Sequence, residues 1–188
     1  MKRNLYLLAL LCLTFSFSAT AQDAAQKAWE EYMTPGEMHK MLSSGDGNWK
    51  YDMTMWMAPG ADPMKSNGTC SNRMILGGRY QETTYKGDFM GMPFEGISVT
   101  GYDNLKKTFH SSWIDNMGTG IMNSEGKLDP ATQSIVLMGK SMDAASGKEV
   151  MTKTSLKMVD KDNHLMEMFM VDNGQETKTM ELKLSRVK

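Results

Sequence analysis

Two cysteines, five prolines and three histidines are all that 188 residues hold of these types, and each scarcity narrows what the chain can be. Cys12 falls in an apolar leader, so a processed chain keeps Cys70 alone and has no internal disulfide. Packing must hold the fold, and 188 residues, about one domain's worth, bury enough core to do so. His39, His110 and His164 stand far apart with no zinc spacing, so no metal ligands are assigned. One buried His would still serve a haem-binding barrel, and that alternative stays open. The charge is nearly balanced, 21 basic against 22 acidic residues, and the lysines and arginines form no stripe. Nucleic acid is therefore not an expected partner. Beyond residue 21 no run approaches the roughly 20 apolar residues of a membrane span.

Residues 1–21 read as a signal peptide. Lys2 and Arg3 form the charged start, Leu5 to Phe17 the apolar centre, and Ala19-Thr20-Ala21 the small-residue cleavage site. The expected mature chain starts at Gln22 and is periplasmic or secreted. Leu11 stands where a lipoprotein anchor at Cys12 needs a small residue. Losing Lys2 and Arg3 leaves 19 basic against 22 acidic residues, a formal charge of −3.

Residues 22–46 read as a helical segment. Residues 24–33 combine helix formers with an apolar edge at Ala25, Ala28, Trp29 and Tyr32. Thr34-Pro35-Gly36-Glu37 offers an N-cap, a first-turn Pro and a capping-box Glu for a second helix through Met38, His39, Met41 and Leu42 to Gly45. From Gly47 to residue 188, turn signals recur every eight to fifteen residues, the spacing of an all-β antiparallel meander. Strands are expected near 48–57, 66–75, 79–87, 92–102, 106–115, 119–127, 133–141, 149–158, 164–172 and 175–186. Asn173-Gly174 suits a two-residue type I′ turn. In the last strand Lys178, Met180, Leu182, Leu184 and Arg186 share one face, taken as inward. In a closed up-and-down barrel that face brings Arg186 beside Trp49. Strand 164–172 is apolar on both sides, so Trp29, Met38 and Met41 are expected to cover Leu165, Phe169 and Val171 from outside.

A Gly47-x-Trp49 opening with Arg186 on the last strand resembles the signature of lipocalin-like barrels. The ordered set Gly77-Gly78-Arg79-Tyr80, Tyr85-Lys86-Gly87, Pro93-Phe94-Glu95-Gly96, Gly101-Tyr102-Asp103, Trp113-Ile114-Asp115 and Gly118-Thr119 is similar to the bacterial family called domain of unknown function 1579, DUF1579. His39 and Leu42 match its opening segment. The resemblance covers roughly residues 36–187 and implies one lipocalin-like, or calycin, domain closed by Gly47, Trp49 and Arg186. It implies no activity and no cofactor.

What the chain has in excess is methionine, 21 in all. Met53-x-Met55-x-Met57, Met90-x-Met92 and Met166-x-Met168-x-Met170 resemble Cu(I)-handling thioether motifs. On strands, however, the same period-two spacing places alternate residues on one face, as rows lining a core or cavity. The second reading is preferred, and no metal is assigned. Phe109, Ser111, Trp113 and Asp115 share a face that resembles the polar end of a ligand pocket, although Asp115 suits equally the turn at Asn116-Met117-Gly118. With His110 alongside and Met166, Met168 and Met170 across the interior, these form the expected ligand-binding set. Ser111 and Ser112 lack a Gly-x-Ser-x-Gly nucleophile turn, so no catalytic residue is assigned. The expectation is a non-catalytic exported barrel that binds a small apolar or amphipathic molecule. A solid structural or interaction barrel, a haem or Cu(I) barrel and an uncharacterised enzyme are the alternatives. His164, beside Asp160-Lys161-Asp162-Asn163, is expected in a solvated turn.

Overall fold

From Gly47 onward the alternation resolves into ten strands: β1 (Gly47–Met55), β2 (Met64–Ile75), β3 (Tyr80–Phe89), β4 (Met92–Asp103), β5 (Thr108–Asp115), β6 (Met122–Asp129), β7 (Ser134–Asp143), β8 (Lys148–Met158), β9 (Asn163–Asp172) and β10 (Gln175–Arg186). The computed structural model describes residues 22–143 and 146–188. The signal-peptide expectation for residues 1–21 lies outside the described residues. Each strand pairs antiparallel with the next, and β10 returns to pair with β1, so the sheet is a closed up-and-down barrel. Closure leaves no strand edge unpaired, which is how a small all-β chain avoids edge-to-edge association. Two helices precede it, over 22–33 (α1) and Glu37–Ser44 (α2). Residues 35–188 form one compact unit that includes α2. Within α1, Trp29 meets Tyr32 edge-on and remains 61% exposed.

α2 begins two residues later than its sequence suggests. Gly36 is extended (φ −106°, ψ −154°) and is the N-cap, so Glu37 opens the helix rather than closing a capping box. His39 occupies that position, and its Nδ1 accepts the Gly36 N–H at 3.0 Å. One residue of capping geometry thus fixes the imidazole tautomer. Leu42 is fully buried against Phe109, Ile135 and Leu137, with Met38 and Met41 on the same cluster. The helix therefore plugs one end of the barrel.

That placement corrects the expectation that Met38 and Met41 cover the outside of β9. The outer face carries its own cover: the ammonium groups of Lys153 and Lys178 lie 5.0 Å and 5.9 Å from the Phe169 ring. Their methylene stems shield apolar surface while the charges stay wet. Lys178 itself was expected inside. A β-bulge at Thr179 inserts one residue between Lys178 and Met180 opposite consecutive β9 residues, which reverses parity. Lys178 consequently points out to ion pairs with Glu167 and Glu181.

Gly68 and Gly87 serve one purpose. Tyr51, Gly68 and Gly87 are successive partners across β1, β2 and β3, and a Cβ on either glycine would strike the Tyr51 phenol. The missing side chains let the ring lie along the inner wall. At the β9–β10 turn, Asn173 (φ 48°) and Gly174 (φ 80°) both adopt the left-handed values of a type I′ hairpin.

Candidate functional site

The closed end of the barrel is built around the carbonyls at the end of α2 and of the two residues after it, at the negative end of the helix dipole. Arg186 donates to Ser44 O at 2.8 Å and Asp46 O at 2.5 Å. Trp49 Nε1 and Asn72 Nδ2 both donate to Gly45 O at 2.9 Å, and Gln81 Nε2 donates to Leu42 O at 2.5 Å. The Asp46 carboxylate accepts the Met74 N–H at 3.1 Å. Four side chains from β1, β2, β3 and β10 thus seal the floor by satisfying one helix terminus.

Trp49 is fully buried there. The Arg186 guanidinium carbon lies 4.3 Å from its ring centroid, and the His164 ring is centred 4.2 Å away. His164 is 7% exposed, which corrects the expected solvated turn. Burial lowers its pKa below the ordinary value and the Arg186 charge lowers it further, so the imidazole facing the cavity is neutral at neutral pH.

Above this floor lies a cavity of about 520 Å³. Its walls differ. On the adjacent strands β1, β10 and β9, Met55, Met180 and Met168 are direct cross-strand partners, with Met53, Leu182 and Met166 forming the next row. All six line the cavity. The facing strands contribute hydroxyls: Thr83 from β3, Ser98 and Thr100 from β4, Ser111 from β5 and Ser124 from β6. Thr100 and Ser111 are within 3.0 Å of one another. Toward the open end Trp113 meets Tyr85 edge-on and stacks on Phe94.

Among the residues expected at a ligand site, Ser111, Trp113, Asp115, Met166 and Met168 lie on this lining. Asp115 lies on the lining and also fixes the turn, one of the two roles envisaged for it. One oxygen accepts the Trp113 Nε1–H at 2.7 Å, and the other accepts the Met117 and Gly118 N–H groups at 2.9 Å and 3.2 Å. Its carboxylate therefore orients the indole and fixes the turn. Three residues sit elsewhere. Phe109 shares the inner face but lies too deep, fully buried beneath α2 against Tyr102. His110 has the opposite parity and stands outside, 3.0 Å from Thr108 Oγ1 and 3.6 Å from Glu125. Met170 lies past the cavity on the exposed end of β9.

Tyr51, Tyr85, Thr83, Thr100, His164 and Met180 belong to the lining although none stands in the ligand-binding set expected from the sequence. Thr83 with Tyr85 and Ser98 with Thr100 carry the period-two signal that reveals a shared face. Cys70, between Trp49 and Tyr85 in cross-strand register, is a buried thiol whose pKa is pushed up to about 12. Among the described residues, no three of His, Cys, Asp and Glu converge as a metal site, and no helix is long and apolar enough to cross a membrane.

The profile of the family described as "Protein of unknown function (DUF1579)" matches residues 34–186. No curated protein matches the chain. Among solved structures, Rv2717c from M. tuberculosis is similar in fold, with a TM-score of 0.60 at 16% identity, covering 82% of this chain and 100% of that one. The S-type phycobiliprotein lyase CPES from Guillardia theta gives a TM-score of 0.55 at 9% identity, covering 84% and 96%. At these identities the likeness concerns the fold alone.

Proposed function

Starting from the fact that the chain belongs to the family described as Protein of unknown function (DUF1579), whose description assigns no activity, we propose that the barrel binds a small apolar or amphipathic molecule without transforming it. The observation that carries this reading is the 520 Å³ cavity with a thioether wall on one side and, on the other, a wall where hydroxyls stand among aromatic rings. The volume lies within the usual range for small-molecule sites. Methionine suits the apolar wall because its unbranched, polarizable side chain adapts to an irregular guest. Ser98, Thr100 and Ser111 supply donors and acceptors along the other edge of that guest. The matching ligand is elongated, with one apolar flank and a hydroxyl, carbonyl or carboxyl group along its length. The carboxylates and the imidazole in the lining are otherwise engaged: Asp115 by its turn and Trp113, Asp88 by the Gly91 N–H, and His164 by its place against Trp49. That favours binding over catalysis.

A twelve-carbon chain transferred at about 0.8 kcal/mol per methylene gains roughly 9 kcal/mol. The cost of immobilising it reduces that figure, so micromolar to submillimolar dissociation constants are expected. Titrating the mature protein with dodecanoate should shift tryptophan emission saturably, and Trp113→Phe should remove most of the change. A broad panel of acyl and isoprenoid compounds that gives no saturable shift, together with native mass spectrometry of protein from its own envelope showing no retained small molecule, sinks the reading.

We further propose that the protein is exported, a reading supported by the charged start, apolar centre and Ala19-Thr20-Ala21 of residues 1–21. Intact mass of the purified protein should correspond to a chain starting at Gln22. A mass retaining residues 1–21 counts against export.

A further inference from the structure

In an up-and-down barrel, alternate loops gather at the same end, and the loops opposite α2 surround the open mouth of the cavity. That mouth is ringed with methionine. Met57, Met90, Met92, Met117, Met142 and Met170 each stand between 40% and 65% exposed. They come from the β1–β2, β3–β4, β5–β6, β7–β8 and β9–β10 connections and the strand ends beside them.

Four of the six continue rows that begin inside. Met57 extends Met53 and Met55. Met92 extends Phe94, Met117 extends Trp113 and Asp115, and Met170 extends Met166 and Met168. On β1, β4 and β9 the apolar lining therefore runs out of the cavity and onto the surface, whereas on β5 the Asp115 carboxylate, held by Trp113 and its turn, stands between Trp113 and Met117. Exposed apolar surface continuous with a binding cavity marks a place where something apolar docks. Its charge narrows the choice: Asp62, Asp88, Asp143 and Asp172 lie at this end against Lys65 and Lys148. An anionic surface is thus repelled at close range rather than attracted. Methionine side chains are long and flexible enough to enter a disordered acyl layer by only a few ångströms, as a shallow interfacial contact requires.

We infer that the methionine rim seats the barrel mouth on an uncharged, zwitterionic lipid surface, so that an amphipathic ligand passes between bilayer and cavity without crossing water. This rests on the ligand-binding reading above. It adds a second site and a route. The six rim residues act as the contact, and the inward rows that four of them extend act as the track.

The experiment uses the full mature chain and phosphatidylcholine vesicles. A fluorescent fatty acid preloaded in the protein should transfer at a rate that rises with vesicle concentration. In the combined variant Met90→Gln, Met92→Gln and Met142→Gln, none of which lines the cavity, the rate should fall at least five-fold and become independent of vesicle concentration. Dodecanoate affinity in vesicle-free solution should change less than two-fold, which shows that the cavity is intact. Ligand-free protein should float with the same vesicles in a density gradient and the variant should not. Flotation needs no ligand, so it tests the rim even if dodecanoate fails to bind in solution, a failure that strikes only the ligand-binding reading. A wild-type rate independent of vesicle concentration, as a rim that docks a protein partner would give, overturns the inference. So does a variant that transfers and floats like wild type, or a preference for anionic vesicles that salt abolishes.

Discussion

Trp49 and Arg186 are direct partners across the seam where the last strand closes on the first, and the guanidinium carbon rests 4.3 Å from the indole centroid. The same guanidinium holds Ser44 O and Asp46 O, so one side chain closes the sheet and anchors the helix that plugs it. Truncating Trp49→Ala should cost about 3–5 kcal/mol, as large aromatic core deletions do. Arg186→Gln gives up the cation–π contact and the carbonyl partners together, for roughly 2–4 kcal/mol. Urea denaturation midpoints at constant slope measure both. An Arg186→Gln change under 0.5 kcal/mol would show that the seam does not depend on this residue.

Gly87 and Tyr51 should be energetically coupled. Gly87→Ala sets a methyl group against the Tyr51 hydroxyl, and overpacking of this kind costs about 1–3 kcal/mol. In the Tyr51→Phe background the offending oxygen is gone, so the penalty should shrink by at least half. A double-mutant cycle of the four proteins reads the coupling directly. Additive effects would mean that the alanine is resisted by the neighbouring backbone instead.

Stability should fall as pH drops below neutrality. His39 and His164 are both buried, burial being the leading cause that lowers each pKa from the ordinary 6.5. Below that value the unfolded chain takes up protons that the folded chain refuses, so stability is complete above about pH 6.5 and declines toward the lowered folded values. A second decline belongs to Asp103 and Asp129, whose carboxylates are lowered chiefly by turn N–H groups. Their contribution is present above the usual carboxylate range and is lost as pH falls through the folded values. Denaturation midpoints between pH 5 and 7 should slope upward with pH, and His164→Phe should flatten that slope. An unchanged midpoint across this interval contradicts the buried neutral state of both rings.

Cys70 should be inert in the folded protein. Its thiol is buried beside Trp49 and Tyr85, and with a pKa pushed up to about 12 almost none is thiolate at pH 8. In the chain starting at Gln22, aromatic disulfide reagents should label it at least a hundred-fold more slowly in buffer than in 6 M guanidinium, counted as about one thiol by absorbance. Rapid labelling of the native protein would expose a local opening of β2.

Much of the barrel was legible because alternation reports which residues share a face. Met53 with Met55, Ser111 with Trp113, and Met166 with Met168 follow from spacing alone, and Asn173-Gly174 fixes its hairpin. Depth was not legible. Phe109 and Trp113 share a face, yet one is sealed under α2 and the other lines the cavity, because the plug sits at one end and no single strand records where. Lys178 escaped because a bulge at Thr179 changes parity without a glycine or proline to mark it. His164 follows a run of turn residues that argues for solvent. What buries it is an indole 115 positions earlier in the chain.

The floor of the barrel ties residues 44 and 46 to residue 186, bonds that span 142 and 140 positions. Such contacts are the last that a growing or refolding chain can make, since nearly the whole polypeptide must be in place before either forms. Until β10 arrives, β1 and β9 each present an open edge, the state in which β chains are most prone to pair with a neighbour. Folding should therefore be slow and sharply cooperative at its end. A chain released just short of Arg186 would possess almost every strand of the barrel and still lack the latch that makes them one object.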